Sequence, residues 1–244
     1  MAILKNLKNK NNETKDSLLP TSISFQNDME HIADMKEQFS HSFDPILRMY
    51  NSAMSVARAR LEIIEDEFNF RNLRSPIHHI ESRLKSARSI VGKLQKKGLD
   101  LSLNEACNNI YDIAGIRVVC PYIKDVYLIK ERILSQDDIE IMNIKDYIAV
   151  PKENGYRSLH MVIRVPVYFM NKKQMVPVEL QLRTMTMDIW ASIEHDIKYK
   201  SLYQENSAGS GISQIDFNKE LLECSKLLHM AEEKVENMNH ILET

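Results

Sequence analysis

The sequence predicts an α+β protein in which a mixed β-sheet is flanked by helices, with long helices toward both ends of the chain. Apolar residues recur at helical spacing after Asp44 and again near the end of the chain. From Ile116 onward, β-branched segments typical of strands alternate with helical patterns. The chain has 244 residues, 43% hydrophobic and 27% charged, and is therefore long enough to bury one substantial core.

Composition and periodicity divide the chain into five segments. Residues 1–24 are rich in Lys, Asn, Ser and Thr and predict a flexible tail. Residues 25–74 predict an N-terminal helical segment, in which Asp44 caps a long helix and Pro45 takes its first position. The other three segments are a sheet-containing core, a polar linker and a C-terminal helix, at 75–200, 201–214 and 215–244.

A basic helix is predicted directly after Ser75-Pro76. Its apolar residues recur at steps of three and four up to about Gly98, namely Ile77, Ile80, Leu84, Ala87, Val91 and Leu94. Residues 71–98 also hold eight Lys or Arg and one acid, Glu81. Such a face is often only solvated. The alternative is a surface for a polyanionic ligand, toward which Arg83 reaches past the apolar stripe.

The core itself is predicted to alternate strands and helices. Ser102 and Glu105 form a capping box for a short helix that Gly115 ends. The elements that follow are strands at 116–120, 139–148, 161–169 and 178–183, with helices at 124–134 and after Arg183. Apolar stripes in the last two helices predict core packing of Ile189, Trp190, Ile193 and Ile197, and of Leu221, Leu228, Ala231, Val235, Met238 and Leu242.

The strand at 178–183 carries a polar face. Side chains alternate along a strand, so Glu179, Gln181 and Arg183 share one face, opposite the apolar one. A solvated outer strand has the same pattern. The preceding loop favours a binding site instead, because it concentrates Lys152, Asn154, Gly155, Tyr156, Arg157, Ser158 and His160.

Arg117 lies inside an otherwise apolar strand, with Asp112 at the strand entrance. A buried charge without a partner is unfavourable, so Arg117 needs a counter-ion or a ligand. Two interpretations follow. Asp112 and Arg117 form a structural ion pair, or both belong to a ligand site.

Together, the polar residues of the core predict a phosphoryl-transfer site. Asp112 and Glu179 are two carboxylates that can hold one Mg²⁺. Cations that can neutralise a phosphoryl group surround them in the sequence: Arg83, Lys85, Lys93, Arg117, Lys145, Lys152 and Arg183. Tyr156 offers a flat face to a nucleobase, Asn154 an amide to its edge and His160 a donor to a phosphate. No glycine-rich phosphate loop is present, so side chains must bind the phosphates.

Charge and cysteine content indicate which ligands and which cellular compartment to expect. A formal net charge of −2 argues against general nucleic-acid binding. The three cysteines lack metal-ligand spacing and predict free thiols in a reducing compartment. The first residues do not resemble a signal peptide and no stretch approaches a membrane span, so we expect a cytoplasmic protein.

Six motifs, in order, resemble the small alarmone synthetases, single-domain relatives of the stringent-response enzymes that make (p)ppGpp. They are Arg83-x-Lys85-x7-Lys93, Asp112-Ile-Ala-Gly115-x-Arg117, Lys145-Asp146-Tyr147-Ile148, Pro151-Lys152-x-Asn154-Gly155-Tyr156-Arg157-Ser158-Leu159-His160, Glu179-x-Gln181-x-Arg183-Thr184 and Trp190-Ala191-x-x-Glu194-His195. The resemblance covers about residues 75–200 and implies a nucleotidyltransferase-like synthetase core.

The resemblance implies a reaction and a role for each motif. The β,γ-pyrophosphate of ATP passes to the 3′-oxygen of GDP or GTP and leaves AMP. Arg83, Arg117, Lys85 and Lys93 would bind ATP, and Asp112 and Glu179 would hold Mg²⁺. Glu179 would also act on the acceptor hydroxyl, with Gln181 and Arg183 orienting the groups around it. Tyr156 would stack on guanine near Asn154, and Lys145, Lys152 and His160 would contact the acceptor's phosphates.

The resemblance also has departures. No His-Asp metal motif of the hydrolase domain precedes the core, so we expect synthesis without hydrolysis. Lys145 stands where some relatives have Arg, which keeps the charge but loses the fork geometry. Family members assemble as homotetramers through terminal helices, and the two long helices of this chain are compatible with that.

Two other functions compete with this one. A related nucleotidyltransferase acting on RNA ends would need a broader basic surface. A guanine-nucleotide sensor without catalysis would have no need for both Asp112 and Glu179.

Overall fold

A five-stranded mixed sheet is the centre of the computed structural model, which describes residues 43–204 and 214–243. The strands are β1 (His79–Leu84), β2 (Ala114–Cys120), β3 (Glu140–Asp146), β4 (Leu159–Phe169) and β5 (Lys172–Thr184), in the order β1-β2-β5-β4-β3. β2 and β5 run parallel and the other neighbouring pairs antiparallel. The predicted mixed sheet flanked by helices is confirmed.

Six helices surround the sheet within the described ranges. They are α1 (Asp44–Phe70), α2 (Ala87–Lys96), α3 (Leu103–Asn109), α4 (Ile123–Leu134), α5 (Met185–Gln204) and α6 (Gln214–Glu243). α5 reaches Gln204, inside the segment predicted as a linker, because residues 201–204 contain no glycine or proline to stop it. Residues 205–213, the tail predicted at 1–24 and the first part of the segment at 25–74 lie outside the described residues.

One face of the sheet is apolar and covered by α1. Burial alternates along β4, and the buried side chains of the central strands are Leu159, Met161, Ile163, Val165, Val176, Val178, Leu180 and Leu182. α1 contacts β1, β2, β4 and β5 and buries Tyr50, Ala53, Ala57, Leu61 and Ile64. The small residues Ala53 and Ala57 let the helix lie close to the strands. The opposite face, with the polar residues of β5, is left for a site.

The predicted helix after Ser75-Pro76 is wrong in its first half. Residues 79–84 form β1, which pairs with β2, and α2 begins only after Ser86. Ser86 has an extended backbone and its hydroxyl accepts a hydrogen bond from the Ser89 amide, so it caps α2. β1 is an edge strand with no buried residue, so it shows no alternation, and its Ile80 and Leu84 fit helical spacing by chance. Arg83 therefore lies on a strand.

Three further predictions need correction. Gly115 does not end a helix, because α3 already ends at Asn109. Gly115 lies in β2, where it pairs with Arg83 of β1 and Glu179 of β5. Phe43, not Asp44, is the N-cap residue of α1. The stripe of α5 is core only at Trp190, since Ile189 and Ile193 are 51% and 49% exposed.

The predicted stripe of α6 is also mostly exposed. Ala231, Val235 and Met238 face outward, whereas Leu221, Ser225 and Glu232 are buried. Polar residues occupy the inner face because α6 packs against α5 and the polar loop before β4, where they find hydrogen-bond partners.

Membrane-spanning helices and the state of the cysteines are the subject of two predictions from the sequence. None of the described helices has both the length and the apolar content needed to cross a membrane. Cys107, Cys120 and Cys224 are all free thiols, as predicted.

Candidate active site

The parallel pairing of β2 with β5 assembles the candidate site on the polar face of the sheet. In this register Gly115 lies beside Glu179 and Arg117 beside Gln181. Asp112 precedes β2 by two residues. Segments more than sixty residues apart in sequence therefore place their charged groups on one patch of the sheet.

Asp112 is bound by two lysines. The Lys93 Nζ donates to Asp112 Oδ2 at 2.7 Å, and the Lys85 Nζ lies 3.3 Å from the same oxygen. Burial by itself raises the pKa of Asp112, but the two ammonium groups outweigh it and the pKa lies below its ordinary value. The alternative of an Asp112–Arg117 ion pair is wrong, because Arg117 pairs with Glu81 and Asp188 instead.

Glu179 belongs to a closed ring of hydrogen bonds. Its Oε1 lies 3.3 Å from His160 Nδ1, and its Oε2 accepts from Gln181 Nε2 at 2.9 Å. Arg183 donates to Gln181 Oε1 at 2.9 Å and to the Tyr156 hydroxyl at 2.8 Å, and that hydroxyl lies 2.8 Å from His160 Nε2. The ring therefore links the predicted polar face of β5, which is Glu179, Gln181 and Arg183, to Tyr156 of the loop and His160 of β4.

The ring defines the direction of most of its hydrogen bonds. Burial and the Asp112 charge raise the pKa of Glu179, but His160 and Gln181 outweigh them and lower it. Glu179 is therefore ionised at neutral pH and can only accept, so His160 Nδ1 carries the proton. Because Arg183 only donates, the Tyr156 oxygen accepts from it, and the hydroxyl also forms a hydrogen bond with His160 Nε2.

Two cavities share the carboxylate pair. The β1-side cavity has about 530 Å³ and is lined by Glu81, Ser82, Arg83, Lys85, Asp112, Gly115, Arg117, Glu179 and Gln181. The β3-side cavity has about 260 Å³ and is lined by Lys93, Lys97, Asn109, Tyr111, Asp112, Asn143, Lys145, Tyr147, Lys152, His160, Val162 and Glu179. Lys93, which the resemblance grouped with Arg83 and Lys85, therefore lies in the β3-side cavity.

Tyr156 sits in an aromatic and cationic environment. Its ring meets Tyr147, His160 and Trp190 edge to face, with centroids 5.9 to 6.0 Å away. Lys152 Nζ lies 4.7 Å from the ring centroids of both Tyr147 and Tyr156. Together with Asn154 and Lys152, Tyr156 also lines an open third cavity of about 870 Å³.

Asn154 shapes the loop that carries Tyr156. Its Oδ1 accepts from the Tyr156 amide at 3.2 Å, and its Nδ2 donates to Glu194 of α5 at 3.2 Å. This is the turn-forming bond that Asn side chains favour. The amide predicted to read a base edge is thus also a structural part of the loop.

α6 holds the same loop from outside. Gly155 has φ +87°, and the buried Ser225 Oγ donates to its carbonyl at 2.6 Å. A Cβ on Gly155 would lie only 2.6 Å from the Ser225 Cβ. Trp190 Nε1 donates to the Leu221 carbonyl at 2.9 Å and fixes α5 to α6 beside this contact.

No sequence pattern marked several residues of the site. Asp188 Oδ1 lies 3.2 Å from Arg183 Nη1 and 3.4 Å from Arg117 Nη1, and Glu81 Oε2 lies 3.1 Å from Arg117 Nη1. Lys97, Tyr111 and Asn143 also line the β3-side cavity, and none of these three lies in the six motifs. Tyr147, a further residue of the same lining, does lie in one of them. Single charged residues of helices and edge strands carry no pattern that marks them.

The carboxylates fit a divalent cation of the Mg²⁺ type. Asp112 Oδ1 is buried and has no hydrogen-bond partner, although Oδ2 has two cationic neighbours. Asp112 and Glu179 line the same two cavities and interact electrostatically. No group of three or more metal-binding side chains exists among the described residues, so substrate oxygens and water would have to complete the coordination.

The fold and the site define a class of protein. A pair of interacting carboxylates between two cation-lined cavities, on one face of a mixed sheet, is an arrangement suited to phosphoryl transfer between two substrates.

Comparison with known proteins identifies the family. Residues 82–204 match the region found in RelA / SpoT proteins. The chain is 37% identical over 205 residues to GTP pyrophosphokinase YwaC of Bacillus subtilis, across 84% of this chain and 93% of that protein. The chain belongs to the RelA/SpoT family.

Solved structures share the fold. The small alarmone synthetase 1 from Bacillus subtilis bound to its product pppGpp has a TM-score of 0.72 and 28% identity, covering 85% of this chain and 100% of that one. The same synthetase bound to AMPCPP has a TM-score of 0.66 and 26% identity, covering 85% and 98%. The predicted synthetase-type core is confirmed.

Gly155→Ala tests the contact between the loop and α6. We expect a loss of about 1–3 kcal/mol in the free energy of unfolding, from the left-handed backbone and the displaced Ser225. Gly92→Ala is the control, because its Cβ would enter open space within α2 and should stabilise by about 0.5–1 kcal/mol. Urea unfolding measures both. Equal stability of Gly155→Ala and the unaltered chain would contradict this account.

Lys93→Met tests the electrostatic control of Asp112. Without the Lys93 ammonium, less positive charge opposes the effect of burial, so the pKa of Asp112 should rise. A lowered folded-state pKa contributes stability above the unfolded value of 3.8, and this contribution is lost as the pH falls from that value through the folded-state pKa. In the variant the two pKa values lie closer together, so this contribution should be smaller. Carboxyl ¹³C NMR titration measures the shift.

The control for this titration is Lys97→Met. Lys97, the residue directly after α2, lines the same cavity as Lys93, but its Nζ donates to the Asn109 carbonyl rather than to Asp112. An Asp112 titration that moves equally in both variants would rule out the specific contribution of Lys93.

Proposed function

We propose that this protein transfers the β,γ-pyrophosphate of ATP to the 3′-hydroxyl of GDP or GTP, giving ppGpp or pppGpp and AMP. The carrying observation is the pair Asp112 and Glu179, which lines two cation-rich cavities at once. A reaction between two phosphorylated substrates needs such a shared wall, because the attacking hydroxyl of one substrate must meet the phosphorus of the other there. The GTP pyrophosphokinase relatives have the same activity in their names.

ATP is assigned to the β1-side cavity. Arg83 and Arg117 would clamp adenine and phosphates, and Lys85 would bind the phosphate chain. The Arg117 Nε is buried without a hydrogen-bond partner, so a ligand at this position would satisfy a polar atom that the fold leaves open. Lys93, on the other side of Asp112, would reach the transferred phosphates where the cavities meet.

GDP or GTP is assigned to the β3-side cavity and the adjoining loop. Lys145, Lys152 and His160 would contact the acceptor's phosphates. Tyr156 would stack on guanine, with Asn154 near the base edge. Lys152 lies over the Tyr156 ring, so a stacked base would take its place and free the ammonium for a phosphate.

Glu179 would take the proton from the acceptor 3′-hydroxyl. The 3′-oxygen then forms a bond to the β-phosphorus of ATP, and the bond from that phosphorus to the α,β-bridging oxygen breaks, so that AMP leaves with its electron pair. Gln181 and His160 hold the two Glu179 oxygens, and Arg183 fixes Gln181. Mg²⁺, held by Asp112 and Glu179, would neutralise phosphate charge.

We further propose a homo-oligomer, with the tetramer as the expected form, in the reducing cytoplasm. The outer faces of α5 and α6 support self-association, because they expose Ile189, Ile193, Leu227, Met230, Val235, Met238 and Ile241. The three free thiols fit a reducing compartment.

Sedimentation velocity tests the oligomer. We expect four chain masses for the unaltered protein and smaller species for Leu227→Glu, whose side chain is 67% exposed on α6. Lys226→Glu, an exposed polar position on the same helix, is the control and should keep the tetramer. A monomer at every concentration would contradict self-association.

An activity assay tests the function. Purified protein is incubated with Mg²⁺, labelled ATP and GDP or GTP, and anion-exchange chromatography resolves the products. AMP and a 3′-pyrophosphorylated guanosine nucleotide should appear together, and a chelator should stop both. Glu179→Gln should lower kcat by about 100-fold or more, because the proton acceptor is lost.

Tyr156→Ala separates acceptor binding from chemistry. We expect a higher KM for GDP or GTP and little change in the KM for ATP, because the ring lies on the acceptor side. Tyr168→Ala, 79% exposed at the end of β4, is the matched control and should behave as the unaltered chain. Binding of nucleotide without AMP formation under any condition would favour the sensor, and no reaction of ATP with GDP would favour an RNA-end transferase.

A further inference from the structure

Asp188, in the first turn of α5, contacts the arginines of both sides of the site through one oxygen. Its Oδ1 lies 3.4 Å from Arg117 Nη1 and 3.2 Å from Arg183 Nη1. Asp188 is 19% exposed and Arg183 7%, so these pairs are only partly screened by water. An aspartate early in a helix also favours the helix dipole, and that structural role alone requires neither arginine.

The two arginines lead to different cavities. Arg117 lines the β1-side cavity. Arg183 donates through Nη2 to the Tyr156 hydroxyl and to Gln181, which in turn holds Glu179. A continuous chain of contacts therefore runs from Arg117 to the acceptor loop, and Asp188 is the residue that joins Arg117 to Arg183.

We propose that Asp188 is a positioning residue that couples the two nucleotide half-sites, so that a nucleotide on Arg117 strengthens acceptor binding at Tyr156. This inference rests on the proposed function, because it assumes that ATP occupies the β1-side cavity. It assigns Asp188 a task that lies outside the six motifs.

The coupling follows from the shared acceptor oxygen. Arg183 Nη1 donates a hydrogen bond to Oδ1, and Arg117 Nη1 forms an ion pair with the same oxygen, so the two guanidinium groups share the charge of one carboxylate oxygen. A nucleotide that draws Arg117 toward itself leaves Oδ1 to Arg183, which then holds Tyr156 and Gln181 more firmly. Arg117 does not lose its last carboxylate in this exchange, because Glu81 remains 3.1 Å away.

Isothermal titration calorimetry tests the coupling. GDP is titrated into the full chain with and without saturating α,β-methylene ATP, in which the bond that must break is blocked. We expect the analogue to tighten GDP binding by about 5-fold or more in the unaltered chain. In Asp188→Asn, which keeps the shape but weakens both ion pairs, the ratio of the two affinities should fall to about 1.

Glu81→Gln is the matched control. It removes the other carboxylate partner of Arg117 and leaves Asp188 with both arginines, so it should change the affinity for the analogue but keep the coupling ratio. Asp188→Glu, which retains the charge, should recover part of the ratio. An equal ratio in Asp188→Asn and the unaltered chain, or an equal loss in Glu81→Gln, would overturn the proposal.

The unaltered chain offers a second measurement. Trp190 is the sole tryptophan and its ring meets that of Tyr156 at 6.0 Å. The analogue alone should therefore change the Trp190 fluorescence, and the change should be absent in Asp188→Asn. If the analogue binds but neither changes the Trp190 fluorescence nor tightens GDP binding, the coupling is contradicted. If neither nucleotide binds, the proposed function fails instead.

Discussion

The parallel pairing of β2 with β5 is the constraint on which the site depends. It places Arg117 beside Gln181 and brings Asp112 near Glu179, although the two strands are distant in sequence. The burial of alternate β5 residues against α1 holds the register, because a slip by one residue would turn Glu179 and its neighbours onto the apolar face. Hydrophobic packing on one side of the sheet thus positions the charges on the other.

Charge compensation explains how this face remains folded without its substrates. Asp112 is neutralised by two lysines, and Arg117 and Arg183 share Asp188. These ionised groups therefore have partners, and Asp112 Oδ1 is left buried without a hydrogen-bond partner. A charged ligand can exchange one protein partner for its own oxygens, so binding is not opposed by the full cost of desolvating bare charges.

The sequence predicted the site better than its surroundings, for a physical reason. Apolar and polar side chains alternate along the second half of β5, so the pattern separates the polar row of Glu179 from the core, and the motif at Tyr156 marks the loop. β1 lies at an edge with no buried residue, and without alternation its residues resemble the start of α2. Asp188 became visible only in three dimensions, because its importance lies in two contacts made across separate strands.

α6 extends this reasoning from the sheet to the ends of the chain. Its inner face is polar because it holds the loop: Ser225 bonds the Gly155 carbonyl, and Glu232 accepts from Thr186 Oγ1 at 2.8 Å. Its outer face exposes apolar side chains such as Leu227. The residue next to Gly155 is Tyr156, so α6 directly contacts the loop that carries the ring assigned to the acceptor base. The acceptor side is thus mechanically joined to the surface proposed for self-association, whereas the β1-side cavity is lined only by strands β1, β2 and β5 and the residues next to them.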